Sequence, residues 1–433
     1  MSNYGESMPV IGDCLFEENT AGDHGGAISN ACFSDAVVSD SRFVNNQAAF
    51  FGGAILNSAF GPGTCGSSPE ILRCEFEGNY ADEGGAVANQ NQSNPLILAC
   101  VFRANLAAKG GAVASHECHP TIRETEFMGN RATNWGGGLY GNYLNFPGSH
   151  VIEDCSFSGN LSDNSGGAIC LRDPEAFIGG CLFQSNIAIG GGGALLVPSS
   201  ASAVQIESCD FIQNEAAGGG GASVSSSPGG SVSFFDCSFR QNRAMNGGGM
   251  AVIVGNTVLH ECFFFENDSS GVGGATYVDE DVAFEAFDCE WAMNSATDGG
   301  AILSYTNAMR LDRCVVAGNV STAGAGGIEI RSAGKVELAQ STICGNSAPQ
   351  ILGLIEGDEG NCVETVCDDC DLRSDPCPTD LDQNGITDGG DLGAFFIFWG
   401  ECQVEDCLAD FNGDEVVDGI DLGILFSAWG PCQ

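Results

Sequence analysis

Two stretches near the end of the chain carry side-chain oxygens at the spacing a hard cation needs. In the first, Asp380, Asp382, Asn384, Asp388 and Asp391 occupy positions 1, 3, 5, 9 and 12 of a twelve-residue loop. Gly385 stands at position 6, and Ile386 offers its backbone carbonyl at position 7. In the second, Asp410, Asn412, Asp414, Asp418 and Asp421 fall at the same positions, with Val416 at 7 and Glu415 in place of the glycine. Oxygen ligands at this spacing from one looped segment are what Ca²⁺ takes. Four carboxylates crowded into each loop repel one another unless a cation lies among them. Ca²⁺ is therefore the expected cofactor, and the first loop, with Gly at the sharp turn, suits it better.

Elsewhere the chemistry is thinner. Asp13, Asp40, Glu124, Asp154, Asp236, Glu261 and Asp288 each precede a recurring cysteine or its substitute, and period-2 counting puts them outward on a strand. Carboxylates on adjacent rungs, about 5 Å apart, can act as acid and nucleophile or hold Ca²⁺. They can equally form a solvated stripe that keeps sheet faces from aggregating. Ser115-His116-Glu117-Cys118-His119-Pro120 gathers two imidazoles and a thiol, a candidate metal site or general base. Arg73, Arg103, Arg123 and Arg131 are the main basic concentration nearby. Long inter-repeat loops at 57–70 and 142–150 flank that segment and would wall any groove there. There is no Gly-rich phosphate loop and no nucleophile elbow.

What positions these residues is a repeat. The phrase Cys-x-Phe-x-x-Asn, followed by Gly-Gly-Ala-(Ile/Val), recurs about every 27 residues across Asn19 to Asn346. Clear copies carry Cys14, Phe16 and Asn19; Cys74, Phe76 and Asn79; Cys155, Phe157 and Asn160; and Cys237, Phe239 and Asn242. Mostly polar neighbours around Cys and Phe give a period-2 pattern, so each copy holds a strand with both side chains inward. The 3.6-residue runs of a helical solenoid and a leucine framework are missing. The expected fold is an all-β, right-handed parallel β-helix of about 13 coils over residues 1–352. Coils spaced ~4.8 Å apart would stack Phe on Phe and Asn on Asn. A Gly pair suits a corner that a Cβ would obstruct.

This phrase resembles the repeat of the chlamydial polymorphic outer-membrane proteins, defined by Phe-x-x-Asn and Gly-Gly-Ala-(Ile/Leu/Val). The resemblance spans about residues 9–350. It implies a surface-displayed, adhesive rod. It does not imply those proteins' export route, because their terminal barrel has no counterpart here.

After Asn346 the composition changes. Residues 353–376 read as an acidic, Cys-rich linker. Residues 377–433 then hold two similar segments 30 residues apart, each a cation loop followed by Leu-Gly and one apolar helix. This duplication resembles a type I dockerin, a small α-helical module with EF-hand-like loops, over about 377–432. The resemblance implies Ca²⁺ at both loops and a cohesin-like partner on a scaffold. The loop positions that read cohesin are Gly389-Gly390 and Gly419-Ile420 here, without the usual hydroxyl and basic residues.

Cysteines number 22. Those in the ladder register (Cys14, Cys74, Cys100, Cys155, Cys181, Cys209, Cys237, Cys262, Cys289, Cys314) point inward as buried thiols, since parallel in-register neighbours sit too wide for a relaxed disulfide. Cys344, Cys362, Cys367 and Cys370 are expected to tie the last coil to the linker by disulfides, with a Zn site at Cys367-x-x-Cys370 as the alternative. Cys377 with Cys402, and Cys407 with Cys432, flank the loop segments. Cys32 and Cys65 are placed to join neighbouring coils.

Acidic residues number 57 against 14 basic, a net charge of −43 over 433 residues. Nucleic acid and anionic membrane are therefore excluded as partners, and no apolar run is long enough for a membrane span. The first coil starts within a dozen residues of Met1 with no cap or export signal ahead of it, which predicts a longer natural protein. The expectation is an extracellular or cell-surface, non-catalytic adhesion or glycan-binding rod with a calcium-stabilised attachment tail. The alternative is a β-helix polysaccharide lyase or glycoside hydrolase. A groove where carboxylates and Arg from coils three to six converge would favour the second.

Overall fold

The computed structural model describes residues 1–59, 66–142, 149–172, 175–331, 334–357, 360–367, 370, 379, 381, 386–387, 389–396, 398–401, 409, 411 and 416–431. The chain forms two compact units, Met1–Thr365 and Val366–Gln433.

The first unit is a right-handed parallel β-helix. Each coil contributes one strand, three residues long, to a fourteen-stranded ladder that runs from Leu15–Glu17 to Cys362–Glu364. The central residue of each strand up to Thr342–Cys344 points into the core. Phe16, Phe43, Phe76, Phe102, Phe127, Phe157, Phe183, Phe211, Phe239, Phe264 and Trp291 form one stacked column, with ring centroids 4.5–5.3 Å apart and planes within 13°. Val316 and Ile343 continue it. The Trp291 indole nitrogen, which an apolar column would strand, donates to Thr276 Oγ1 at 2.9 Å.

The asparagines three residues on form a second column. Each Nδ2 donates to the Oδ1 of the next coil's Asn at 2.8–3.0 Å, from Asn19 to Asn346. From Asn46 onward each amide also donates to the carbonyl of the preceding coil's core residue, as Asn130 does to Phe102. The amide is both donor and acceptor, so the stack satisfies itself. A further ladder, Asn3–Asn30–Asn57–Asn89–Ser115, runs along another bend.

Two corners per coil are left-handed at positions that period-2 counting treats as strand. The residue before each ladder cysteine has φ near +50°, among them Asp13, Asp40, Arg73, Glu124, Asp154, Asp236, Glu261 and Asp288. These acids therefore sit in a turn and not outward on a strand, a correction to the sequence reading: the chain bends just before the cysteine, so alternation does not carry through. The third corner is the Gly pair. At Gly137 a Cβ would collide with the carbonyl oxygens of Gly167 and Leu161 in the next coil, which explains the second glycine. The first, Gly136, sits at φ +67°.

The rod does not end at residue 352 as the break in the repeat suggests. Leu354–Glu356 pairs in parallel with Lys335–Ala339, and Cys362–Glu364 with Thr342–Cys344, so half of the expected linker extends the ladders. Gln350 caps the Asn column by accepting from Asn346 at 2.8 Å.

In the second unit, helix α1 (Gly389–Phe395) and helix α2 (Gly419–Ser427) pack around Phe395, Ala409, Val417 and Leu425. Two short antiparallel pairs cross the duplication. Ile386–Thr387 pairs with Gly430–Pro431, and Gly400–Glu401 with Val416–Val417. Each loop is thus braced by the far end of the other segment.

Candidate functional site

The Gly-Gly corner brings two ladders together. One holds the residue just before the Gly pair, running Phe51, Glu83, Lys109, Trp135, Ser165. The other holds the second residue of the strand that follows, running Leu56, Ala88, Ala114, Tyr140, Cys170. On coils three to six these ladders form a cluster separate from the main core, with Ala114, Tyr140 and Cys170 buried and Trp135 and Leu196 packed against them.

Glu83 is the hub. One carboxylate oxygen takes Lys109 Nζ at 2.6 Å and the other takes His116 Nε2 at 2.5 Å. Lys109 Nζ also lies 5.9 Å from the Trp135 ring centre and 5.8 Å from that of Tyr140. The Arg172 guanidinium lies 5.1 Å from the Trp135 ring and hydrogen-bonds Tyr140. The His116 and Tyr140 rings are 5.5 Å apart.

The electrostatics follow from this packing. Burial alone would raise the Glu83 carboxyl, but the contact and charge of His116 and the hydrogen bond and charge of Lys109 outweigh it and hold it at about 2. Glu83 is therefore ionised across the physiological range. Burial pushes the Tyr140 phenol up to about 12, so its hydroxyl keeps its proton. Arg172 has no ion-pair partner among the described residues. Two cations, an imidazole beside a carboxylate and two aromatic rings meet here in a chain of net charge −43. Such a cluster can recognise an anionic group on a sugar, and the Glu83 carboxylate lies against the His116 imidazole without hydrogen-bond geometry. Among the described residues it holds a single carboxylate, where a glycoside hydrolase uses a pair.

The sequence points to this stretch through His116 and the expected convergence on coils three to six, but it misses Glu83, Lys109, Trp135, Tyr140 and Arg172 as a group. The available signal was register. Glu83, Lys109 and Trp135 hold one position in successive copies, and Tyr140 stands where the two preceding copies have Ala and the next has Cys. The arginines singled out in the sequence do not join the cluster. Arg73 pairs with Asp40, Arg123 with Glu153 and Arg131 with Asp163, each from one coil to another. Cys118 is buried, its thiol pushed up to about 12 by burial and donating to the His116 carbonyl at 2.9 Å. Among the described residues, no group of three His, Cys, Asp or Glu side chains is placed to hold a metal ion, so Cys118 and the two histidines are not brought together as a ligand set. The loop positions 60–65 and 143–148 lie outside the described residues.

The ladder cysteines are free thiols, all buried except Cys14 in the first coil. Cys344, Cys362, Cys367 and Cys370 are disulfide-bonded, so Cys367-x-x-Cys370 is not a Zn site. Cys65 and the four cysteines that flank the tail segments lie outside the described residues.

Of the calcium-loop residues, Asp380, Asp382, Asn384, Asp388, Asp410, Asn412 and Asp414 lie outside the described residues. Ile386 and Val416 lie in the crossed β-pairs. Asp391 and Asp421, at position 12 of each loop, are both fully buried. Asp421 accepts from the backbone nitrogens of Phe411 and Asp418, both at 2.9 Å, and Asp418 caps α2 through Ile420 N at 2.7 Å. Residues 377–432 contain twelve Asp and Glu and no Lys, Arg or His. Buried carboxylates in a segment without a basic side chain fit a bound cation.

Residues 92–264 match the family described as right handed beta helix region, and residues 13–31 match the Chlamydia polymorphic membrane protein repeat. No curated protein matches. Among solved structures, the chain is similar to the Azotobacter vinelandii mannuronan C-5 epimerase AlgE4 A-module, at 14% identity and a TM-score of 0.37, over 79% of this chain and 91% of that one. No helix among the described residues is long and apolar enough to cross a membrane.

Proposed function

We propose that this chain is a secreted or cell-surface β-helix whose Gly-Gly corner on coils three to six binds an acidic polysaccharide. One observation carries the reading. In a molecule of net charge −43, Lys109, His116 and Arg172 gather around Trp135 and Tyr140. Cations beside aromatic rings suit a sugar that bears a carboxylate or sulfate. The four disulfide-bonded cysteines support an oxidising, extracellular setting. The tail serves as the attachment module, its loops holding Ca²⁺ through Asp380, Asp382, Asn384, Asp388 and Asp391, and through Asp410, Asn412, Asp414, Asp418 and Asp421. A cohesin-like or other surface protein is the tail's partner.

Binding without catalysis is favoured because Glu83 and Lys109 engage each other and Tyr140 is buried and protonated. A second reading, a lyase acting on uronates, is favoured by the Glu83–His116 contact, which places an imidazole beside two cations. Calorimetric titration of the full chain with oligouronates and with neutral oligosaccharides tests both. The binding reading expects oligouronate binding that Arg172→Ala weakens, with no new unsaturated product. Release of unsaturated ends that His116→Ala abolishes would establish the lyase. No oligouronate binding in the intact protein would overturn both.

A further inference from the structure

Coils seven to nine carry a different feature on the ladder that precedes the cysteines. There Phe177–Gln205–Ser233 form one outward column, and Gly179–Glu207–Phe235 the next. The glycine matters: the Phe177 ring lies over Gly179, and a Cβ there would press on it at 2.8 Å. With Phe177 folded across one side and Phe235 standing two rungs on, a slot of about 340 Å³ opens between two aromatic walls. Glu175, Ala203, Gln205, Ser231 and Ser233 line it as well. Gln205 is exposed and its amide reaches Glu207 at 3.4 Å.

The lining states the ligand's chemistry. Amide, hydroxyls and carboxylate can donate to and accept from sugar hydroxyls, and phenyl rings pack against the apolar face of a pyranose. Among the described residues no Lys, Arg or His lines the slot, so none of them would neutralise an anion there. Glu175 would repel one. This is the reverse of the corner on coils three to six, where two cations gather. From Phe235 an aromatic stack continues outward through His260 and Phe287, with ring centres 5.1 and 4.9 Å apart. The aromatic surface therefore extends along the rod beyond the slot as far as Phe287, where the Arg310 guanidinium lies 5.9 Å from the ring centre, and a chain of several sugars could follow it.

We infer that the slot between Phe177 and Phe235 is a binding subsite for a neutral pyranose of an oligosaccharide, independent of the acidic-glycan reading for the corner. The test is calorimetric titration of the full chain with short neutral β-linked glucan, xylan and mannan oligosaccharides. The inference expects one of these to bind, Phe235→Ala to weaken it at least about tenfold, and Lys109→Ala at the corner to leave it unchanged. Gln205→Ala, an exposed position whose loss spares the fold, should weaken it also. Absence of binding by all three neutral series would overturn the inference. So would binding that survives both Phe235→Ala and Gln205→Ala, or that Lys109→Ala removes. Oligouronate binding that depends on Lys109, with none of the three neutral series bound, would leave the corner reading standing and the slot refuted.

Discussion

Within the rod, Asn130 Nδ2 donates a hydrogen bond to Asn160 Oδ1 while its own Oδ1 accepts one from Asn105. Within the tail, Asp391 and Asp421 are buried in a segment of twelve acidic side chains and no basic one. Both regions repeat one residue type at fixed spacing, yet the physics differs. An amide carries donor and acceptor together, so a column of amides closes on itself and lengthens without any added group. A carboxylate only accepts, so a cluster of them needs donors or a cation from elsewhere. The tail finds some donors in backbone nitrogens at Asp421 and is proposed to take the rest of its compensation from Ca²⁺. The same principle explains the phenyl column, which stacks because ring upon ring satisfies itself in a dry core.

The largest expected effect lies at a Gly-Gly corner of the rod. Gly137→Ala places a methyl against the next coil's backbone oxygens, where no flexible side chain can yield. The expected result is loss of more than about 4 kcal/mol or no folded rod at all, read by denaturant unfolding. Tolerance of that substitution would mean the coils are not in the register described. A milder strike is Asn130→Asp, which keeps shape and removes the donor. The carboxylate would then face the Phe102 carbonyl and Asn160 Oδ1. A loss of about 3–5 kcal/mol is expected, with no dependence on Ca²⁺. The reciprocal change, Asp421→Asn, should leave the rod alone and abolish the tail's response to Ca²⁺.

A smaller effect concerns pH. Glu83 is held at about 2, below its ordinary value. Its contribution to stability is therefore complete above the ordinary carboxylate range and fades as pH falls toward 2. In Glu83→Gln, Lys109 and His116 lose their anion. The variant should be less stable at neutral pH by about 1 kcal/mol, and the gap to the wild type should narrow as pH falls through the window between the two values. Parallel acid-unfolding curves that keep a constant gap would contradict the ion-pair hub.

Much of this was legible in the sequence because stacking turns periodicity into contact. Phe16, Phe76, Phe157 and Phe239 share a register, and a register in a solenoid is a column. Alternation failed at Asp40 and Glu124, because it assumes a continuous strand where the chain turns through positive φ. The Asn30–Asn57–Asn89 ladder escaped notice since its repeats fade into Ser115 after four copies. The corner cluster was partly legible, through His116. Its other members are single events in their own copies, and periodicity is blind to a residue that occurs once. Glu83 and Lys109 become neighbours only after the coils are superposed.

The central claim is that the rod stabilises itself while the tail depends on a cation. Scanning calorimetry of the full chain, in Ca²⁺ and then in excess chelator, tests it most directly. Two transitions are expected, with chelator lowering or erasing the one that belongs to residues 366–433 and leaving the rod's unmoved. A single transition that shifts as a whole, or two that both ignore the chelator, would contradict it.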